Sequence, residues 1–345
     1  MNFLRIFSGQ NFILSPTLWP HMQITHPLKD SLALRTLVTG HLEQAALAGK
    51  IPLIVVMGPT ASGKTALGIA LAELINGEIV SADSRQIYRY MDIGTAKPTP
   101  AEIARVKHYL VDFVEPDEEY NLARFQREST ETVKRVHQAG KIPLLVGGTG
   151  LYISAVVQNY DLPDSQPDLA LRLQYERLAE NEGVEAVYRQ LALLDPVAAD
   201  NIHPNNLRYV IRALEIARLA SHKATVAETS PFQSLLIMID WNREELYARI
   251  ERRIDEQLKS GLVEETSSLL ARYNGGLPSL SSLGYNEIAQ YLRGEVSLDV
   301  AIAAFKQHTR NYAKRQLTWF RRFPQVYSIP GNKLTEILEE LHTKA

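Results

Sequence analysis

Gly58, Pro59, Thr60, Ala61, Ser62, Gly63, Lys64 and Thr65 follow the apolar run LIVVM and precede the helix-patterned stretch ALGIALAEL. Two glycines, a lysine and a threonine at this spacing spell the loop that wraps backbone N–H groups around a phosphate chain. The glycines let the backbone approach an anion, and the following helix turns its positive end toward it. Lys64 adds a point charge, and Thr65 offers a hydroxyl to Mg²⁺. Such loops usually hold ATP or GTP, but nothing in the motif says what the diphosphate is attached to.

Two further segments carry chemistry. Asp83 opens the stretch DSRQIYRYMDIGTAKP at the end of an apolar run, where ligands bind in open α/β folds. An Asp there is equally a helix cap, and so is Ser84. Thr149 lies in GGTGLY, after another apolar run, and its hydroxyl would project at the same edge. A plain strand-to-helix turn is the competing reading.

These residues need a scaffold. Apolar runs LIVVM, EIVSA, HYLVDFV and IPLLVG alternate with helical stretches from Pro52 onward, the signature of a parallel sheet covered on both faces. The fold expected is α/β, a P-loop NTPase-like parallel sheet core over residues 51–160 and 231–330. Residues 161–230 turn helical and read as an inserted domain, and residues 331–345 as a C-terminal tail. The first 50 residues show no sustained periodicity and no acid before Asp30. They read as an unstructured extension or an early start, with Met22 an alternative beginning.

A chain of 345 residues, 45% of them hydrophobic, supports a sizeable core. Its net charge of −2 does not announce nucleic acid, so RNA contact must come from local patches. There is no cysteine, which removes thiol chemistry and fits a reducing, cytoplasmic setting. No apolar run approaches the roughly 20 residues of a membrane helix, so no membrane partner is expected.

In order and spacing, GPTASGKT, SADSRQIYRYMDIGTAKP, VGGTGLY and the late AKRQLTWFR resemble the tRNA dimethylallyltransferases, or tRNA isopentenyltransferases, from about Pro52 to Phe323. The resemblance implies Mg²⁺-dependent transfer of a five-carbon group from dimethylallyl diphosphate to N6 of the adenosine just 3′ of the anticodon in tRNA. It implies Asp83 as the carboxylate that orients and deprotonates the amine, with Lys64, Arg253, Thr65-bound Mg²⁺ and the loop amides stabilising the leaving diphosphate. Thr149 would touch the base. It also implies tRNA contacts by Asp83, Ser84, Arg85, Gln86 and Thr149, and by Arg208, Tyr209, Val210, Ile211 and Arg212 in the insertion, with Arg172 a weaker carry-over. The anticodon stem-loop would be the RNA partner and the enzyme a monomer. Asn206 and Tyr209 depart from the family pattern, which puts contacts there in doubt.

The stretch FKQHTRNYAKRQLTWFRRF carries Lys306, Arg310, Lys314, Arg315, Arg321 and Arg322 without an acid, while Phe305, Tyr312 and Trp319 recur every seven residues. The aromatic stripe reads as core and the basic residues as phosphate contacts. Two other readings stay open on the residues alone. One is a small-molecule kinase with Asp240 as its Mg²⁺ carboxylate; the other is an RNA-binding or NTP-switch protein in which the loop powers a conformational change.

Overall fold

The computed structural model describes residues 23–162, 168–218, 225–226, 229–273, 277 and 279–343. Along the chain run β1 (Gln23–Pro27), α1 (Ser31–Leu47), β2 (Ile51–Met57), α2 (Lys64–Leu74), β3 (Gly77–Ser81), α3 (Pro100–Arg105), β4 (His108–Tyr109), α4 (Leu122–Gln138), β5 (Ile142–Gly147) and α5 (Gly150–Val157). After the segment Tyr160–Glu228, described below, come β8 (Phe232–Asp240), the C-terminal helices and, among them, β9 (Gln325–Pro330). The strands form one seven-stranded sheet in the order β1-β9-β8-β2-β5-β3-β4, in which every pairing is parallel.

Parallel strands are buried on both faces, which is why β2 and β5 are nearly continuous apolar runs with no alternation. One face is covered by α1, α2 and the C-terminal helix, through Leu34, Val38, Leu67, Leu71, Ile337 and Leu341. The other is covered through Phe125, Val133, Ile153, Val156, Phe320 and Phe323. The loops after β2, β3 and β5 leave the same, carboxyl edge of adjacent strands. That adjacency brings GPTASGKT, Asp83 and Thr149 together.

Within Tyr160–Glu228, a separate compact unit, β6 (Tyr160–Asp161) pairs antiparallel with β7 (Thr225–Val226). Between them lie α6 (Leu169–Glu182), α7 (Val184–Leu194), α8 (Pro196–Asp200) and α9 (Leu207–Arg218). These helices bury their own core of Tyr175, Val187, Leu191, Val210, Ile211 and Leu214.

The chain then returns to the sheet through β8 (Phe232–Asp240) and continues as α10 (Arg243–Lys259), α11 (Leu262–Arg272), α12 (Tyr285–Leu292), α13 (Leu298–Phe320), β9 (Gln325–Pro330) and α14 (Leu334–Thr343). Ile250, Ile254, Leu262, Leu269, Tyr285 and Phe305 join Ile87, Tyr88 and Met91 in a further core, which seats the stretch after Asp83 against α10–α13.

Two expectations are corrected. Residues 23–50 are not an unstructured extension: β1 pairs with β9, and Asp30 caps α1 by accepting the Ala33 amide at 2.8 Å. α1 buries Leu34, Val38, His41 and Ala45, a three- and four-residue spacing that Gly40 and a buried histidine disguise in the sequence. The part of the same expectation that falls on residues 1–22 lies outside the described residues. Residues 331–343 are not a tail either, because α14 packs Leu334, Ile337 and Leu341 into the sheet core.

Candidate active site

The phosphate-binding loop leaves β2 at Met57, and Gly63, at φ 95°, starts α2 in the left-handed region where glycine has no steric cost. No side chain caps α2. Its first amides, which have no intrahelical acceptor, are left for an anion. Not every loop amide serves this purpose: the Thr60 amide donates to Gln316 Oε1 at 2.9 Å, and the Ser62 amide to Pro59 O at 3.2 Å. The loop is also gripped from outside. Arg249 Nε donates to Ala61 O at 2.8 Å and Trp241 Nε1 to Ser62 O at 2.9 Å, with the Arg249 guanidinium 4.3 Å over the Trp241 ring. These bonds hold Ala61 at φ 63°, an unusual conformation for a residue with a Cβ.

Lys64 is half-buried. Burial pushes its ammonium down to about 8, with the Asp83 carboxylate opposing and the Arg253 guanidinium adding to the shift. Arg253 reaches in from α10, donating to Thr60 Oγ1 at 3.2 Å and to Thr95 O at 3.5 Å. Burial lowers its pKa as well, against the pull of Asp83 and Glu256.

Asp83 Oδ1 accepts the amides of Arg85 at 2.9 Å and Gln86 at 3.4 Å, so the carboxylate does cap its own turn. Thr149 starts α5 without capping it. Its Oγ1 accepts the Ser84 amide at 3.0 Å and its hydroxyl lies 3.3 Å from Ser84 Oγ, tying the third loop to the second. Gln86 turns inward instead of toward a partner: Nε2 donates to Ala96 O at 2.9 Å and Thr95 O at 3.3 Å. These bonds shape the segment that follows.

Several residues of the site escaped the sequence reading. Gln316 of α13, buried, donates from Nε2 to Gly148 O at 2.8 Å while accepting from Thr60. A Cβ at Gly148 would come within 2.4 Å of that nitrogen, so any side chain there would push the Gln316 amide off its partners. The motif AKRQLTWFR held this residue, but a sequence does not name the partners of a buried amide. Tyr312 is half-buried rather than sealed in the core, and burial together with the Asp83 carboxylate pushes its phenol up to about 12. Of its stripe, Phe305 is buried and Trp319 Nε1 donates to Ser154 Oγ at 3.1 Å.

Behind the loops is a cavity of about 20 Å³ lined by Lys64, Thr65, Ser81, Asp83, Gln86 and His108, room for one water. His108 Nδ1 donates to Val106 O at 2.8 Å, leaving Nε2 as a buried lone pair, and burial lowers the imidazole pKa, which keeps it neutral. Asp240, the carboxylate of the kinase reading, is exposed at the end of β8.

The segment Met91–Pro98 forms the outer wall. Glu265 accepts the amides of Asp92, Ile93 and Gly94 at 3.0, 2.9 and 3.2 Å, and the Tyr285 hydroxyl at 2.6 Å. Gln257 Nε2 donates to Ile93 O at 2.6 Å and Gly94 O at 3.0 Å.

A model described as IPP transferase matches residues 86–323. The chain belongs to the IPP transferase family. An isopentenyl transferase model matches residues 51–115 as well. The chain is 47% identical over 287 residues to a tRNA dimethylallyltransferase of Roseiflexus sp. strain RS-1, covering 82% of this chain and 94% of that one. It is 44% identical over 307 residues to that of Lachnoclostridium phytofermentans, covering 85% and 98%. Among solved structures it is similar to the tRNA isopentenylpyrophosphate transferase of Bacillus halodurans, at TM-score 0.62 and 40% identity over 86% of this chain and 99% of that one. A eukaryotic dimethylallyltransferase captured acting on tRNA matches at TM-score 0.70 and 27% identity, covering 83% and 75%.

In this IPP transferase the expected RNA contacts of the insertion divide by helix face. Arg208 is exposed on α9. Val210 and Ile211 are 0% and 4% exposed in the insertion core, so their side chains do not face RNA; a contiguous motif ignores the three- to four-residue period of the helix that carries it. Tyr209 packs against the same core. Arg172 and Arg212 are bound to Glu215. On α13, Lys306 and Arg310 pair with Asp255 and Glu251 at 2.6 and 2.5 Å, whereas Lys314 on the helix and Arg321 just past its end are exposed. Among the described residues, no helix is long and apolar enough to cross a membrane.

Proposed function

We propose that this IPP transferase moves the dimethylallyl group of dimethylallyl diphosphate onto N6 of the adenosine 3′ to the anticodon of tRNA, with Asp83 as the base. The observation that carries the proposal is the convergence of Asp83 and Lys64 on one cavity beside the uncapped start of α2.

The exocyclic amine of adenine is a weak nucleophile because its lone pair is delocalised into the ring. A carboxylate that accepts one of its N–H bonds orients the amine and takes the proton as the C–N bond forms. Asp83 is suited to this: the Arg85 and Gln86 amides fix its plane through Oδ1, leaving Oδ2 to meet the amine. As the C–O bond breaks, its electrons leave with the diphosphate. Lys64, Arg253 and the first amides of α2 stabilise that charge. Thr149, held by the Ser84 amide, orients the base.

Thr65 lies in the first turn of α2 on the cavity wall that Asp83 and Ser81 share. Among the described residues, no cluster of three or more His, Asp or Glu could hold a metal. A single hydroxyl fits a magnesium ion bound mostly by substrate oxygens, and such an ion would neutralise charge on the leaving group. The target nucleotide reaches Asp83 displaced from its stack, while Arg172, Arg208 and Arg212 hold the anticodon stem-loop by its phosphates. The enzyme acts as a cytoplasmic monomer.

The test supplies bulk tRNA with either dimethylallyl diphosphate labelled in its prenyl group or ATP labelled in its terminal phosphate. Prenyl label on RNA is expected. Phosphate label on RNA, or no label from either donor, overturns the reading.

A further inference from the structure

In the insertion, one carboxylate is buried where burial is costly. Glu215 on α9 is 1% exposed, and a carboxylate in such a place persists only when paired and hydrogen-bonded. Both conditions hold. Arg172 of α6 approaches with Nε at 2.6 Å from Oε1 and an Nη at 3.1 Å from Oε2, a bidentate fork. Arg212, one turn back on α9, donates to Oε2 at 3.0 Å. Each arginine side chain remains 32% exposed. Arg208 lies a further turn back along the same stripe, since positions 208, 212 and 215 recur at helical spacing.

We infer that Glu215 is a positioning residue, which holds the Arg172 and Arg212 guanidiniums at a fixed separation and tilt to receive phosphate oxygens of the RNA. It rests on the reading that this face of the insertion holds the stem-loop. One carboxylate thus fixes two guanidiniums. An arginine free to rotate loses rotamer entropy when it grips a phosphate, about 0.5–1.5 kcal/mol for each side chain immobilised. Two arginines held before the RNA arrives have already lost much of that freedom.

The test turns on sign. Glu215→Gln preserves volume and one acceptor but makes the patch one unit more positive. If charge alone governed binding, this variant would hold an anticodon stem-loop RNA more tightly at low salt. The positioning role predicts the reverse: about tenfold weaker binding and a KM for tRNA raised to match. The kcat at saturating tRNA and the KM for dimethylallyl diphosphate should stay as in the wild type. Arg172→Lys, which keeps the charge and loses the fork, should weaken binding in the same direction and bears the test alone if Glu215→Gln melts at a much lower temperature. Unchanged or tighter stem-loop binding by a folded Glu215→Gln, or unchanged binding by Arg172→Lys, overturns the inference. Failure of the wild type to prenylate tRNA would instead remove the function on which it rests.

Discussion

Asp83 Oδ1 accepts the Arg85 amide at 2.9 Å, so one oxygen of the carboxylate belongs to the turn that carries it. Capping and catalysis are therefore not alternatives here. Asn ranks with Asp as a cap, and Asp83→Asn should keep the turn and melt within a few degrees of wild type while transferring the prenyl group at least on the order of a hundredfold more slowly. Asp83→Ala should lose the turn as well, and about 1 kcal/mol of stability with it. Single-turnover prenylation beside thermal unfolding separates the two effects. Near-normal transfer by Asp83→Asn would remove the carboxylate from the mechanism.

Lys64, pushed down to about 8 by burial, should gain a proton when the diphosphate arrives, because an anion favours the charged ammonium. Proton uptake should be visible at pH values above that pKa, and affinity should decline as pH rises through the same range. Titration calorimetry of dimethylallyl diphosphate in two buffers of different ionisation heat, roughly one unit above that pKa, measures it. Lys64→Ala should abolish the uptake and cost orders of magnitude in turnover. For the protein without ligand, the unfolded chain binds more protons in the window between about 8 and the ordinary lysine value, so this group's contribution to stability rises with pH there.

Gln316 should be intolerant of an apolar isostere. Gln316→Leu strands the Thr60 N–H and the Gly148 carbonyl, at about 1–3 kcal/mol for each group left unsatisfied, and frees two loops to drift apart. A lowered melting temperature and a raised KM for dimethylallyl diphosphate are expected together. A variant with both values unchanged would mean that the bridge does not organise the site.

His308 Nδ1 lies 2.6 Å from the buried Glu287 carboxylate, and that hydrogen bond raises the imidazole pKa against the opposing effect of burial. The stabilisation is fully present below the ordinary histidine pKa of about 6.5 and is lost as pH rises through the higher, folded value. Urea unfolding of wild type and His308→Gln on both sides of that window should show a gap that narrows with rising pH. A gap independent of pH would mean that the ring is neutral throughout.

An unstructured extension could be removed without changing how tightly the protein holds RNA or how salt weakens that binding. The structure predicts a large loss of stability, since the deletion takes β1 from the sheet edge and strips Leu34 and Val38 from its face. Soluble yield and thermal unfolding of the truncated chain decide between them.

What was legible was local. The loop from Gly58 to Thr65 is contiguous, and Asp83 and Thr149 could be put at the sheet edge because each follows an apolar run. α1 was missed because Gly40 and His41 interrupt its apolar face. Gln316, Tyr312, His108 and Trp241 were missed as site residues for another reason: their roles lie in partners far along the chain, and no spacing encodes which loop an amide or a phenol will meet. Arg212 was legible as basic, but its bond to Glu215 was not. At Val210 and Ile211 a contiguous motif hides the helical period that turns both side chains inward.

The first and last strands of the sheet lie side by side, β1 against β9, and the Leu334 side chain of α14 sits where a Cβ on Gly63 would meet it at 2.6 Å. The floor of the phosphate-binding loop is thus supplied by a helix far along the chain from the loop itself. Bringing such distant segments together is costly in chain entropy, so the diphosphate grip should be won late in folding and lost early when α14 is loosened, while the insertion, which has its own core, stays folded.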